Sequence, residues 1–193
     1  MTVRDAISFT THWDDLRVPI NAIKLGGVND PNFTKLLDNG SGSTGVYAYL
    51  FDKSAEEEVF FAVQIPHKWK QGTSIHPHVH WIPTVNGGVG TKVSWGLEYG
   101  FAEIGNVFGN TSIIYGNTSV PNEDPVANKH YLTELGVISM SGVRSVSSML
   151  FCRLFRDAGG VGGTDDYDAD VALAEFDFHY QIDSPGSRNE YTK

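Results

Sequence analysis

Hydrophobic and polar residues alternate with period two along much of this chain. Over residues 91–104, Val93, Trp95, Leu97, Tyr99 and Phe101 fall on one face of an extended segment, and Lys92, Ser94, Gly96, Glu98 and Gly100 fall on the other. Successive strand side chains point to opposite faces, so this pattern predicts a strand with one buried side. Val59, Phe61, Val63 and Ile65 alternate likewise, as do Ala174, Phe176, Phe178, Tyr180 and Ile182 opposite Glu175, Asp177, His179 and Gln181. In residues 146–155 both faces are apolar except at Ser147 and Arg153, which predicts a central strand covered on both sides.

Two segments also tolerate a helical reading. Ser54 with Glu57 has the spacing of a capping box, and Tyr167, Val171 and Ala174 are spaced by four and three. Elsewhere Gly and Pro cut the chain into short pieces, which suits strands joined by turns. The first forty residues differ: they hold one large anchor, Trp13, among loop-forming sequences such as Asn39-Gly-Ser-Gly-Ser. The expected architecture is all-β: a single β-sandwich of seven to nine strands, specifically a jelly roll. Its expected parts are an extended N-terminal arm over residues 1–44, the sandwich over 45–183 and a C-terminal tail over 184–193.

Composition narrows the partners. The chain has 193 residues, 40% of them hydrophobic, and a formal net charge of −9. That is enough apolar content to fill a core. The acidic balance argues against nucleic acid, which is held by clustered Lys and Arg. No apolar run is long enough to predict a membrane span, and the first residues lack the apolar stretch of a signal peptide. A single cysteine, Cys152, excludes an intrachain disulfide.

Candidate chemistry concentrates around Ile75-His-Pro-His-Val-His-Trp. If this is a strand, His76, His78 and His80 share one face and Ile75, Val79 and Trp81 the other. Three imidazoles in a row call for exposure, hydrogen-bonded burial or a divalent metal, and a metal here is expected to be structural and shared between subunits. Gly72 followed by His78-Val-His80 matches the first half of the cupin metal motif, but no Glu follows at the right distance, and the next acid is Glu98. A second polar face combines Glu175, Asp177 and His179, with Glu98 and Arg153 as expected cross-strand neighbours. It reads as an acid–base set or as a salt-bridged surface. Trp69 is the candidate for stacking on a sugar. The acids Asp165, Asp166, Asp168 and Asp170 offer hard oxygen ligands without the spacing of an EF-hand. No G-x-S-x-G occurs, so no serine hydrolase signature is present, no catalytic residue is assigned, and no cofactor is expected beyond a metal at the histidines.

Seven blocks recur together in order: Trp13-Asp-Asp-Leu-Arg-Val-Pro, Pro66-His-Lys-Trp-Lys-Gln-Gly-Thr, Pro77-His-Val-His-Trp, Trp95-Gly-Leu-Glu-Tyr, Cys152-Arg-Leu-Phe-Arg-Asp, Gly163-Thr-Asp-Asp-Tyr and Asp177-Phe-His-Tyr. As a set they resemble virion-associated proteins of tailed bacteriophages and prophages, a group without an assigned activity. The resemblance implies a virion protein made in the host bacterial cytoplasm. Its expected role is non-enzymatic: capsid decoration, or a fibre or tail component. The expected partners are further copies of itself, as a homotrimer, and other phage structural proteins such as the major capsid protein. Two other functions are open: a cupin-like metalloprotein using His76, His78 and His80, and a carbohydrate-binding module.

Overall fold

A computed structural model describes residues 12–117, 124–143 and 145–193. Among these residues ten strands form two antiparallel sheets: β1 (His12–Pro19), β2 (Asn32–Leu37), β3 (Val46–Phe51), β4 (Glu58–Gln64), β5 (Ile75–Pro83), β6 (Ser94–Ala102), β7 (Ser112–Asn117), β8 (Tyr131–Glu134), β9 (Met149–Arg156) and β10 (Val171–Ile182). One sheet runs β2-β3-β10-β5-β8, with β1 also on β10, and the other runs β4-β9-β6-β7. From β3 onward the chain crosses between sheets at nearly every step, and only β6 and β7 are successive strands of one sheet. The orders β3-β10-β5-β8 and β4-β9-β6-β7 are those of an eight-stranded jelly roll.

Within the segment expected as an extended arm and loops, two stretches join the sheet as β1 and β2. Residues 12–19 pair with the last eight residues of β10, from His12 opposite Ile182 to Pro19 opposite Glu175. The reason lies in β10, whose twelve residues exceed what β3 covers. On that edge β3 pairs only with Val171, Ala172 and Leu173, and β1 supplies partners for the rest, so the edge is not left with open N–H and C=O groups. Strand β2 in turn extends the sheet beyond β3. The residues before His12 lie outside the described ones.

The alternation sets the core. Val93, Trp95 and Leu97 are fully buried, and Tyr99 and Phe101 are half-buried against the same cluster. Across the sandwich Phe51 meets Trp95 edge-on at 5.1 Å, and Phe61 packs on Phe176 at 5.1 Å. Strand β9 is central, between β4 and β6, but it is not covered on both sides: Phe151 points outward and is 56% exposed. Neither helical alternative forms. At 52–57 a turn takes the place of a helix, with Asp52 accepting hydrogen bonds from the Ser54 and Ala55 amides and the Ser54 hydroxyl.

Beside the core, the glycine- and aspartate-rich segment after β9 is wound around two buried side chains. The Arg156 guanidinium, fully buried, forks onto Asp165 at 2.8 and 2.9 Å and donates to the carbonyls of Ala169 and Tyr167, each at 2.8 Å. The buried Asp157 carboxylate accepts the amides of Val161, Gly162 and Gly163 and the Ser94 hydroxyl. A Cβ at Gly162 would lie 2.0 Å from the Tyr115 ring, so the wrap needs glycine there. Three of the four acids weighed as cation ligands have other partners: Asp165 on Arg156, Asp166 on the Lys92 amide and Asp168 on Lys53.

Two outcomes follow from this packing. Trp95→Ala should cost about 3–5 kcal/mol in chemical unfolding, the range for deleting a large core aromatic; a loss below about 1 kcal/mol would contradict its central place. Asp165→Ala should cost about 3–5 kcal/mol, because it leaves the Arg156 charge buried without its partner. Restoration of most of that loss by adding Arg156→Met would identify the stranded charge as the cause.

Candidate functional site

Strand β5 alternates strictly: Ile75, Pro77, Val79, Trp81 and Pro83 are buried, while His76, His78 and His80 face outward, partly exposed. Antiparallel pairing then gathers polar residues from four segments onto this outer face. On β10, Glu175, Asp177 and His179 stand opposite His80, His78 and His76. On β1, Asp15 stands opposite His179 and Arg17 opposite Asp177, with Trp13 two residues further along the strand. On the other side Glu134 of β8 stands opposite His78, and His130 lies just before β8.

Asp177 is the centre of the face. Only 5% exposed, it takes a hydrogen bond from His80 Nε2 at 2.7 Å and has His78 Nδ1 at 3.2 Å, close enough for an ion pair but not aligned as a hydrogen bond. Burial pushes its carboxyl upward, but the two imidazoles outweigh this and hold it at about 2. The same contact raises His78 above its ordinary value. Because Asp177 accepts, His80 carries its proton on Nε2. In a neutral ring, Nδ1 then accepts from His130 Nε2, 2.8 Å away. Burial and the neighbouring His80 both lower His130, which favours a neutral ring there.

Around this centre the remaining groups are paired or stacked. His179 Nδ1 lies 2.6 Å from Asp15, His76 Nδ1 lies 3.4 Å from Glu134, and Arg17 forks onto Glu175 at 2.5 and 2.7 Å. Trp13 lies parallel to the His179 ring at 4.7 Å and edge-on to His76 at 5.5 Å, yet stays 45% exposed. The site is an open shelf, acidic apart from Arg17 and any protonated histidines, with one broad aromatic at its edge.

The structure brings His76, His78 and His80 together with Glu175, Asp177 and His179. It separates Glu98 and Arg153 from them. Those two pair with each other at 3.3 Å on the other sheet, where Arg153 also binds Glu56 and Glu58, each at 3.0 Å. The jelly-roll crossings send β5 and β6 to different sheets, so Glu98 cannot complete a cupin-like set with the histidines. Among the described residues no group of three or more His, Cys, Asp or Glu is arranged to hold a metal ion. Trp69 is a further correction. It is fully buried and donates its indole N–H to the Thr73 carbonyl at 3.1 Å, so it offers no stacking surface. Sequence reasoning missed Trp13, Asp15, Arg17, His130 and Glu134 as members of the site. The signal for the first three was present: Trp13, Asp15 and Arg17 alternate with Asp14, Leu16 and Val18, the period-two mark of a strand.

A second surface lies on the outer face of the β4-β9-β6-β7 sheet. It is an open depression of about 500 Å³ lined by Lys24, Phe60, Ala62, Phe151 and Arg153 among others. Its aromatics carry no polar tip, and the Arg153 charge is already matched by three glutamates, so it offers less directional chemistry than the histidine shelf.

No protein-family model and no curated protein matches this chain. Among solved structures it is similar to the CBM22-1–GH10 modules of Clostridium thermocellum endo-1,4-β-D-xylanase 10B complexed with xylohexaose. The identity is 13%, with a TM-score of 0.42, over 92% of this chain and 29% of that one. It is also similar to TmCBM61 in complex with β-1,4-galactotriose, at 14% identity and a TM-score of 0.33, over 89% of this chain and 88% of that one. The chain thus spans under a third of the length of the first of these. The jelly-roll assignment rests on the strand order above, not on these likenesses.

The contacts of Asp177 with His78 and His80 set a pH window. A carboxyl held at about 2 instead of 3.8 adds stability, on the order of 2 kcal/mol, that is present above about pH 4 and lost as the pH falls through 2. A raised histidine adds stability that is present below its ordinary 6.5 and lost as the pH climbs through its folded value. The cluster should therefore contribute most between about pH 4 and 6.5. In an NMR titration, Asp177→Asn should bring the His78 midpoint back toward 6.5; an unmoved midpoint would show that the two are not coupled.

Proposed function

We propose that this protein is a carbohydrate-binding jelly roll whose ligand lies along the outer face of β1, β10, β5 and β8. The observation that supports this reading is Trp13: a 45% exposed indole beside His179, at the edge of a shelf of paired carboxylates and imidazoles. A pyranose presents a face of C–H groups, which packs on an aromatic, and a rim of hydroxyls, which both donate and accept hydrogen bonds. Carboxylates such as Asp15 and Glu134 accept from hydroxyls, and Arg17 donates to them. Both acids are exposed enough to exchange their present partners for a ligand, with side chains 51% and 62% exposed. The surplus of carboxylates disfavours phosphates and acidic sugars and selects neutral saccharides. An open sheet face, unlike a closed pocket, admits the middle of a chain as readily as its end.

The sequence blocks favour a second reading, in which the same sandwich is a virion subunit, assembled as a homotrimer at the capsid, fibre or tail. The two readings are compatible, because a particle surface is a place where glycan binding is useful. Mass spectrometry and imaging of purified particles test the location, and sedimentation tests the trimer.

For the binding reading, a glycan array should show neutral saccharides bound by the wild-type chain, with affinity falling at least about tenfold in Trp13→Ala, as loss of an aromatic anchor does. The thermal midpoint of the variant should stay near that of the wild type, since the indole is not part of the core. Equal binding by Trp13→Ala, or no glycan retained by the folded wild type, would overturn the assignment.

A further inference from the structure

Outside the histidine shelf, a serine and a histidine meet in a geometry that neither the fold nor the binding reading uses. Among the described non-glycine residues three have positive φ: Asn29, Asn128 and Ser147. Asparagine tolerates that region through its short polar side chain, but serine rarely enters it. Ser147, at φ 62°, is held there by backbone bonds to Ile65, one from its own amide and one to the carbonyl of Ser148. Strain of this kind, fixed by surrounding structure, collects at functional positions.

The strained turn presents the Ser147 hydroxyl to His67, in the loop between β4 and β5, with Oγ 2.7 Å from Nε2. The other ring nitrogen, Nδ1, lies 3.1 Å from the Ser187 backbone carbonyl. A carbonyl oxygen only accepts, so Nδ1 carries a proton. In the neutral ring Nε2 is therefore the lone pair that accepts the serine O–H. This is the tautomer a general base needs, oriented by a third group as in serine nucleophile sites. The nearest acid to Nε2 is the exposed Glu190, 3.7 Å away. Ser147 also lines a cavity of about 210 Å³ between the β6–β7 loop and the start of β9, walled by Ala102, Ile104, Phe108 and Met149. Asn106 and Glu103 also line it, and the Glu103 carboxylate accepts from the Ser145 hydroxyl at 2.8 Å. The cavity is smaller than the roughly 300 Å³ at which drug-sized ligand pockets begin, and its walls are largely apolar.

We infer that Ser147 and His67 form a nucleophile–base pair that accepts short-chain acyl esters. Ser147 Oγ adds to the ester carbonyl carbon while its proton passes to His67 Nε2. The bond from that carbon to the alcohol oxygen then breaks, and the alcohol leaves with the proton from Nε2. Water repeats the sequence on the acyl-serine and releases the acid. Sequence reading could not find this pair, because the two residues lie eighty positions apart and no nucleophile motif surrounds Ser147.

The test uses the full chain and a fluorophosphonate probe, with adducts located by peptide mass spectrometry. The expected result is one adduct, on Ser147, formed roughly 100-fold or more slowly in His67→Gln, the scale of a lost general base. Ser147→Gly should remain folded, because glycine suits φ 62°, and should take no label. A folded wild-type chain that leaves Ser147 unlabelled, or labelling unchanged by His67→Gln, would overturn the inference.

Discussion

Strand β10 is twelve residues long, buried in the middle of its sheet, and needs backbone partners along both edges. One edge is met by β5 alone. The other needs two strands, β3 for the first three residues and β1 for the last eight, with a shift of register at Ala174 in the pairing with β5. Leaving those amides and carbonyls open inside the sheet would cost more than ordering the N-terminal segment. That demand turns residues 12–19 into sheet and carries Trp13, Asp15 and Arg17 beside the histidines of β5. Without it the shelf would lose one of its four segments and its only tryptophan.

The apolar faces of β10 and β6 then define the interior, and the polar faces are consequences of the same alternation. Phe176, Phe178 and Tyr180 point inward, so Glu175, Asp177 and His179 must point out. The concentration of ionisable groups on one outer face is costly unless each is matched, and the structure matches them in pairs: Asp177 with two imidazoles, Asp15 with His179, Glu175 with Arg17. These pairs leave the face ordered before any ligand arrives. A pre-ordered polar surface lowers the entropy lost on binding.

The glycine-rich segment after β9 solves a different problem with the same economy. Arg156 and Asp157 are both buried, and neither charge is tolerable there unless its hydrogen bonds are complete. The segment satisfies both by wrapping its own amides, carbonyls and Asp165 around them. Several residues of the recurring sequence blocks are buried or paired inside the sandwich: Trp69, Trp81, Trp95, Arg156, Asp157, Asp165 and Tyr167. These blocks therefore describe the skeleton of the sandwich more than its surface chemistry, although His78, His80 and Asp177 belong to both.

Local pattern alone determined the all-β character, the faces of β4, β5, β6 and β10, and the outward row of His76, His78 and His80. Those features depend only on side chains alternating along an extended backbone, which is a property of neighbouring residues. Partnership across strands was decided by the tertiary structure. Glu98 and Arg153 have the same alternation as Glu175 and Asp177, yet the jelly-roll crossings put them on the opposite sheet. Trp69 and Trp13 are both tryptophans in polar surroundings, and only packing distinguishes the buried one from the exposed one. Ser147 acquired a histidine partner because two backbone bonds to Ile65 hold a left-handed turn against the loop that carries His67. Each of these depends on contacts between distant parts of the chain, which period and composition do not encode.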